Sequence, residues 1–83
     1  MYKAGDRLRL ITSRRKLSFS TFVATRFVII KTGDEFKIIE ERERFFICET
    51  EGRNRERFIA FTRGGHLSDK RNKFQHLSKE HWL

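Results

Sequence analysis

The residues of this chain best suited to chemistry are its cations. Arg14-Arg15-Lys16 is an uninterrupted basic triplet, with Phe19 and Phe22 just downstream. Arg7, Arg9, Arg26, Lys37, Lys70, Arg71 and Lys73 extend the basic set along the chain. Guanidinium and ammonium groups neutralise phosphates, and aromatic rings stack on bases, so this combination suits a polyanion with a π-face. These ten cations are candidate nucleic-acid contacts, with Phe19 and Phe22 as candidate stacking residues. For the two rings, a place in the core is the stronger expectation, because large aromatics in a small domain are usually buried.

Other chemistries have weaker footing. His66, His76, His81 and Cys48 are scattered without metal-ligand spacing, and there is no Cys-x-x-Cys, so no metal site or cofactor is expected. Cys48 lies inside an apolar run and reads as a small buried side chain rather than a thiolate nucleophile. Glu40 and Glu41 fall on opposite faces of a strand, which is poor geometry for an acid/base pair. Gly64-Gly65 before His66 lacks the context of a phosphate loop and reads as a turn. His66 near Arg63 is compatible with the general acid/base chemistry of a small toxin-type ribonuclease, which stays open as an alternative.

The balance of charge supports the cationic reading. The chain has 83 residues and a formal net charge of +8. A small domain this basic favours polyanions: nucleic acid first, then acidic protein surfaces, then anionic membranes. Residues 1–39 hold nine cations and three acids, residues 40–63 six of each, and residues 64–83 four cations and two acids. No apolar stretch is long enough to span a membrane, the N-terminus lacks a signal-peptide core, and one cysteine excludes an internal disulfide. A cytoplasmic location is expected, or the host cytoplasm for a viral protein.

The neutral middle has a structural reason. The runs Arg44 to Glu49 and Glu56 to Thr62 form a hairpin if Gly52-Arg53-Asn54 is its loop, with Asn54 left-handed. Glu49 then faces Arg57, Ile47 faces Ile59 and Phe45 faces Phe61, while the other face pairs Cys48 with Phe58 and Phe46 with Ala60. Opposed charges and opposed apolar groups each stabilise such a register by roughly 0.2–1 kcal/mol. Arg53, Arg55 and Arg57 therefore read as hairpin registry rather than as a binding stripe.

The elements that position the cations follow. Arg7–Thr12 is a strand with Leu8 and Leu10 inward. Residues 13–20 read as a polar, basic loop and residues 21–31 as one long strand, in which Phe27-Val28-Ile29-Ile30 marks a buried segment. Residues 35–40 form the next strand. After the glycines, Ser68 is a candidate N-cap for a short C-terminal helix carrying Leu67, Phe74, Leu77 and His81, with Trp82 at its end; an extended tail is the alternative. A phrase also occurs twice: Lys3-Ala-Gly-Asp-Arg-Leu-Arg-Leu-Ile11 and Lys31-Thr-Gly-Asp-Glu-Phe-Lys-Ile-Ile39. Each copy is a Gly-Asp turn feeding a strand, so the repeat builds the fold rather than duplicating a binding module.

Five short antiparallel strands with tight turns indicate a mainly β fold, a small barrel or bent sheet. The Lys-x-Gly-Asp turn, followed by Phe45-Phe46-Ile47-Cys48, a hairpin and Arg57-Phe58-Ile59-Ala60, resembles the diverging turn and following strands of Src-homology-3-like barrels over residues 31–61. The early Ala-Leu-Tyr-Asp-Tyr and late Pro-x-x-Tyr phrases of the peptide-binding family are absent, so the resemblance implies no proline-rich ligand. Basic members of that fold class occur among ribosomal, transcription-elongation and DNA-packaging proteins.

These observations lead to one domain over residues 1–83, with a sheet over 1–63 and a helix or basic tail over 64–83. The expected activity is non-catalytic nucleic-acid binding through phosphates, with little base specificity. DNA and RNA, and single and double strands, are not distinguished, nor is oligomeric state. The main alternative is a small regulator, such as a phage-encoded inhibitor, docking its basic patch on an acidic partner protein.

Overall fold

The computed structural model describes residues 2–52 and 54–77. Seven strands form: β1 (Arg7–Thr12), β2 (Leu17–Ser20), β3 (Phe27–Ile30), β4 (Glu35–Glu41), β5 (Phe45–Thr50), β6 (Arg57–Phe61) and β7 (Lys73–His76). They make one antiparallel sheet in the order β3-β2-β6-β5-β4-β1-β7. The sheet is not closed by hydrogen bonds: β3 and β7 are its edges. Among the described residues no α-helix forms, and no helix is long and apolar enough to cross a membrane.

The duplicated phrase is paired with itself. Both copies make the same turn: Asp6 N–H donates to Lys3 O and Asp34 N–H to Lys31 O, at 3.1 and 2.9 Å. The aspartate carboxylates accept in return from Lys3 N–H (2.9 Å) and Lys31 N–H (3.0 Å). Gly5 and Gly33 occupy the third turn position with φ of 95° and 97°, where any side chain would be strained. The turns then cap each other's strands: Gly5 N–H donates to Ile38 O and Gly33 N–H to Leu10 O. The equivalent residues Leu8 and Phe36 lie directly opposite one another.

The symmetry extends outward. β7 flanks β1 as β5 flanks β4, and each outer pairing is interrupted by one extra residue, Ile11 in β1 and Ile39 in β4. Such bulges sharpen the local bend and twist, which curls the sheet around its core. The four identities of the repeat thus lie at its turns and its bulges, the positions where backbone geometry is most demanding.

The concave side buries Leu8, Leu10, Phe36, Ile38, Phe46, Cys48, Phe58 and Ala60, with Leu17, Phe19, Val28 and Ile30 supplied by β2 and β3. Rings run through it in series: Phe74 to Phe36 (5.8 Å), Phe36 to Phe58 (5.3 Å), Phe58 to Phe19 (4.7 Å) and Phe19 to His66 (5.0 Å). The expected register of the β5–β6 hairpin is observed at all five pairs from Phe45↔Phe61 to Glu49↔Arg57. Its loop differs: Arg55, with φ of 44°, takes the positive conformation expected of Asn54.

Three other expectations are corrected. Residues 17–20 are strand rather than loop, because Leu17 and Phe19 alternate with Ser18 and Ser20 and place both apolar side chains in the core. The long strand over 21–31 is broken by a turn that the Thr21 hydroxyl organises, accepting from Val23 N–H at 3.1 Å and lying 3.0 Å from Val23 O and Arg26 O. Where a C-terminal helix was expected, residues 73–76 instead complete the open edge of β1, and Ser68 lies in a turn with its hydroxyl donating to Gly65 O. Ser78 to Leu83, including the expected helix end at His81 and Trp82, lie outside the described residues.

Candidate nucleic-acid interface

The β1 cations are held by acids on neighbouring strands. Arg9 lies opposite Glu35 in register, and its Nε and Nη2 donate to Glu35 Oε2 at 3.1 and 2.8 Å; its Nη1 donates to Gln75 Oε1. Arg7 reaches Glu35 at 3.4 Å and Glu51 at 3.1 Å. Lys37 lies between Arg7 and Glu49 in the cross-strand row, and Glu49 in turn pairs with Arg57 at 3.4 Å. In the cationic sheet face expected from Arg7, Arg9 and Lys37, both arginines are thus held by acids, while Lys37 has Arg7 on one side and Glu49 on the other. Glu35 was legible as the first strand residue after the turn of the second repeat, but its position opposite Arg9 follows only from the self-pairing of the repeat.

A different set of cations converges. The β1–β2 loop with Arg14, Arg15 and Lys16 and the 66–73 segment with Lys70, Arg71 and Lys73 are remote in sequence. In the structure they meet across a cleft lined by Ser13, Arg14, Arg15, Lys16, Leu17, His66, Asp69, Arg71 and Asn72. Lys70 adjoins it in sequence and is exposed, and Lys73 opens β7 opposite Thr12. The walls are tied together. Ser13 Oγ lies 2.7 Å from Arg15 O and 3.1 Å from Asn72 Oδ1, and Asn72 Nδ2 donates to His66 O at 3.1 Å.

Among the described residues Asp69 is the single acid lining this cleft. Arg71 grips it with a fork, Nε to Oδ1 at 3.1 Å and Nη2 to Oδ2 at 2.9 Å, and its backbone N–H also donates to Oδ1. These hydrogen bonds from Arg71 hold the Asp69 carboxyl down to about 2. Asp69 is thus ionised at neutral pH and orients Arg71, whose guanidinium stays mostly exposed at the rim.

His66 closes the inner end of the cleft. Its ring packs edge-on against Phe19, and Nε2 lies 3.1 Å from Ser18 O, an acceptor, so that nitrogen carries the proton. The chain reaches this point because Gly65 passes so close to Phe61 that a Cβ there would meet Phe61 O at 3.1 Å and Phe61 Cβ at 3.2 Å. A side chain at this position fits only if Phe61 gives way by a few tenths of an ångström. On the opposite side of the sheet end, His76 Nε2 is 3.0 Å from Asp6 Oδ1, at ion-pair distance but without the direction of a hydrogen bond. Burial pushes the Cys48 thiol up to about 12, which removes it as a nucleophile. No group of three or more metal-ligating side chains occurs among the described residues.

The aromatics divide. Phe19 is core, at 3% exposure, while Phe22 in the β2–β3 turn is 62% exposed. Arg26, in the same turn, lies at the opposite end of β2 from the basic triplet and does not join the cleft. Phe27 and Ile29, expected to be buried, are 58% and 49% exposed, because β3 is an edge strand and these two side chains lie on its face away from the core. Sequence reasoning missed them because a continuous apolar run looks the same in an edge strand and a central one. It also missed Ser13 and Asn72, small polar residues whose role in tying the cleft has no sequence signature. Comparison with protein-family models, with characterised proteins and with solved structures found no match.

Proposed function

We propose that this protein binds nucleic acid through phosphate contacts in the cleft between the β1–β2 loop and the 66–73 segment, without catalysis and with little base specificity. One observation carries the reading: two basic segments far apart in sequence are folded into one cleft whose only lining acid among the described residues is already held by Arg71. Elsewhere Arg7, Arg9 and Arg57 pair with acids across strands. Here Arg14, Arg15 and Lys16 face a concave surface with no acid of their own, an arrangement that favours an anion from outside. A phosphate backbone fits, since it supplies closely spaced charges to several cations at once.

Fluorescence anisotropy with a labelled oligonucleotide tests this. Affinity should fall steeply with salt, with a log–log slope of about −3 to −5 for four to six neutralised phosphates. Absence of binding at micromolar protein and low salt sinks the proposal. The Src-homology-3-like reading of the fold is likewise a proposal; what supports it is that β4, β5 and β6 form a meander while the last described strand, β7, returns to pair with the first.

A further inference from the structure

Beside the cationic cleft runs a second groove, lined by Ser18, Ser20, Ile59, Phe61, Gly64 and Gly65, and the two share His66 and Asp69. The sheet register defines its shape. Ser20 pairs with Ile59 on one side and Phe27 on the other, and Ser18 pairs with Ile29. Paired residues in an antiparallel sheet share a face, so Phe27 and Ile29 of β3 stand on the same convex face as Ile59 and Phe61 of β6. Between them lies a floor of two exposed serines. At the one row where β2 pairs with β6, Ser20 with Ile59, strands about 4.8 Å apart put Phe27 and Ile59 roughly 10 Å apart.

Resting on the proposed phosphate contacts, we infer that this trough seats unpaired bases, and that the ligand is therefore single-stranded nucleic acid. Three features select it. First, Phe27 and Phe61 are 58% and 49% exposed and offer ring faces of the kind on which bases stack regardless of sequence. Second, the floor is hydroxylic: Ser18 and Ser20 can donate to and accept from base edges, whereas a dry protein contact would bury them unpaired. Third, the trough opens into the cationic cleft past His66 and Asp69, and the Asp69 carboxylate there is already held by the Arg71 fork, so a strand with its phosphates on Arg14, Arg15 and Lys16 can continue onto the rings. Residues 13–31 contain five cations and no acid at all. A duplex hides its bases and cannot use the trough, and a bilayer surface is too broad to enter the cleft. A second copy pairing antiparallel through β3 would bring Arg26 and Lys31, which flank that strand, toward their counterparts.

The decisive experiment compares labelled oligothymidylate and oligouridylate of about 12 nucleotides, a length within the range of small single-strand sites, with a duplex of the same length. Single strands should bind at least several-fold more tightly than the duplex. Phe27→Ala should weaken single-strand binding by about 5- to 150-fold, the range for loss of one stacked base, with duplex binding and the salt slope unchanged. Phe27→Tyr should restore it. Phe61→Ala should act in the same direction, although it also removes the contact with Phe45, so the exposed Phe27 is the cleaner probe. The thymidylate and uridylate arms differ at both C2′ and C5, so an oligodeoxyuridylate arm isolates the 2′-hydroxyl.

Equal single-strand affinity in the parent and Phe27→Ala overturns the inference. A duplex bound as tightly as the single strand does so too. If Phe27→Ala converts a dimer to a monomer in the ultracentrifuge, the face belongs to self-association and the inference falls. Phe27-dependent sedimentation with phosphatidylserine vesicles, in protein that binds no single strand, assigns the face to lipid instead. Where Arg14→Ala/Arg15→Ala/Lys16→Ala abolishes binding and Phe27→Ala changes nothing, the phosphate cleft stands alone. Where no oligonucleotide binds the parent protein, both readings fall together.

Discussion

Two parts of the sheet treat charge in opposite ways. The symmetric framework of β7, β1, β4 and β5 is built from the duplicated phrase and pairs its arginines internally, Arg9 and Arg7 with Glu35 and Glu51, Arg57 of the adjoining β6 with Glu49. The β2–β3 hairpin, inserted between the two copies of the phrase, has five cations and no acid over residues 13–31 and leaves Phe22, Phe27 and Ile29 uncovered. Both parts contribute to one core. The difference shows that arginine content alone does not mark a binding surface; what matters is whether the fold brings an acid to each arginine. Opposite Arg7, Arg9 and Arg57 it does, and among the described residues no acid is ion-paired to Arg14 or Arg15.

The largest effect should come from the shared core. Phe36 is fully buried against Phe19, Phe58 and Phe74, so Phe36→Ala should cost about 3–5 kcal/mol in urea denaturation. Phe22→Ala in the inserted hairpin should stay within about 0.5 kcal/mol. A comparable loss at both sites would show that the exposed hairpin tip is part of the stability framework, contrary to the division drawn above.

The next test concerns binding. Arg14→Ala/Arg15→Ala/Lys16→Ala should flatten the salt slope by about 2–3, one phosphate for each cation, with little change in stability. Arg7→Gln/Arg9→Gln should leave the slope in place and instead lower stability by about 1 kcal/mol. Equal flattening by the two variants erases the distinction between framework and hairpin arginines. Glu35→Gln sharpens it from the other side: it should cost about 1 kcal/mol and steepen the salt dependence, because Arg7 and Arg9 lose their common acid.

Two smaller effects follow from titration. Cys48, in β5, has a thiol pushed up to about 12 by burial, so iodoacetamide at pH 8 should modify it only at the rate of global unfolding. Rapid modification of the folded protein would mean that β5 opens locally. Asp69 is held at about 2 by Arg71, below an ordinary aspartate near 3.9. A depressed carboxyl stabilises the fold above the unfolded value, so its contribution is complete above about pH 4 and lost as pH falls through about 2. An NMR titration of the Asp69 carboxyl carbon with a midpoint near 4 contradicts the Arg71 fork.

Much of the fold was legible because it rests on local patterns. β1, β4 and the β5–β6 hairpin follow from period-two alternation, and the hairpin register from opposed Glu–Arg and apolar pairs. β2 was missed because serines occupy its outer positions and weaken the alternation, although Leu17 and Phe19 carried the signal. β7 was missed because Leu67, Phe74 and Leu77 fit helical spacing equally well, and only the open edge of β1 decides between the two. At the site, the basic triplet was legible and its partners across the cleft were not. Phe19 and Phe22, three residues apart, had opposite fates because one lies in a strand over the core and the other in a turn.

By itself, then, the sequence determined the mainly β class, the two Gly-Asp turns, the central hairpin and the excess of positive charge, all of which depend on residues close in the chain. Tertiary structure alone decided which cations are neutralised, which aromatics are exposed and which segments share a cleft. Those outcomes depend on strand order and register between remote segments. A single long-range pairing, Arg9 opposite Glu35, cancels one patch, while the meeting of residues 13–16 with 66–73 creates another.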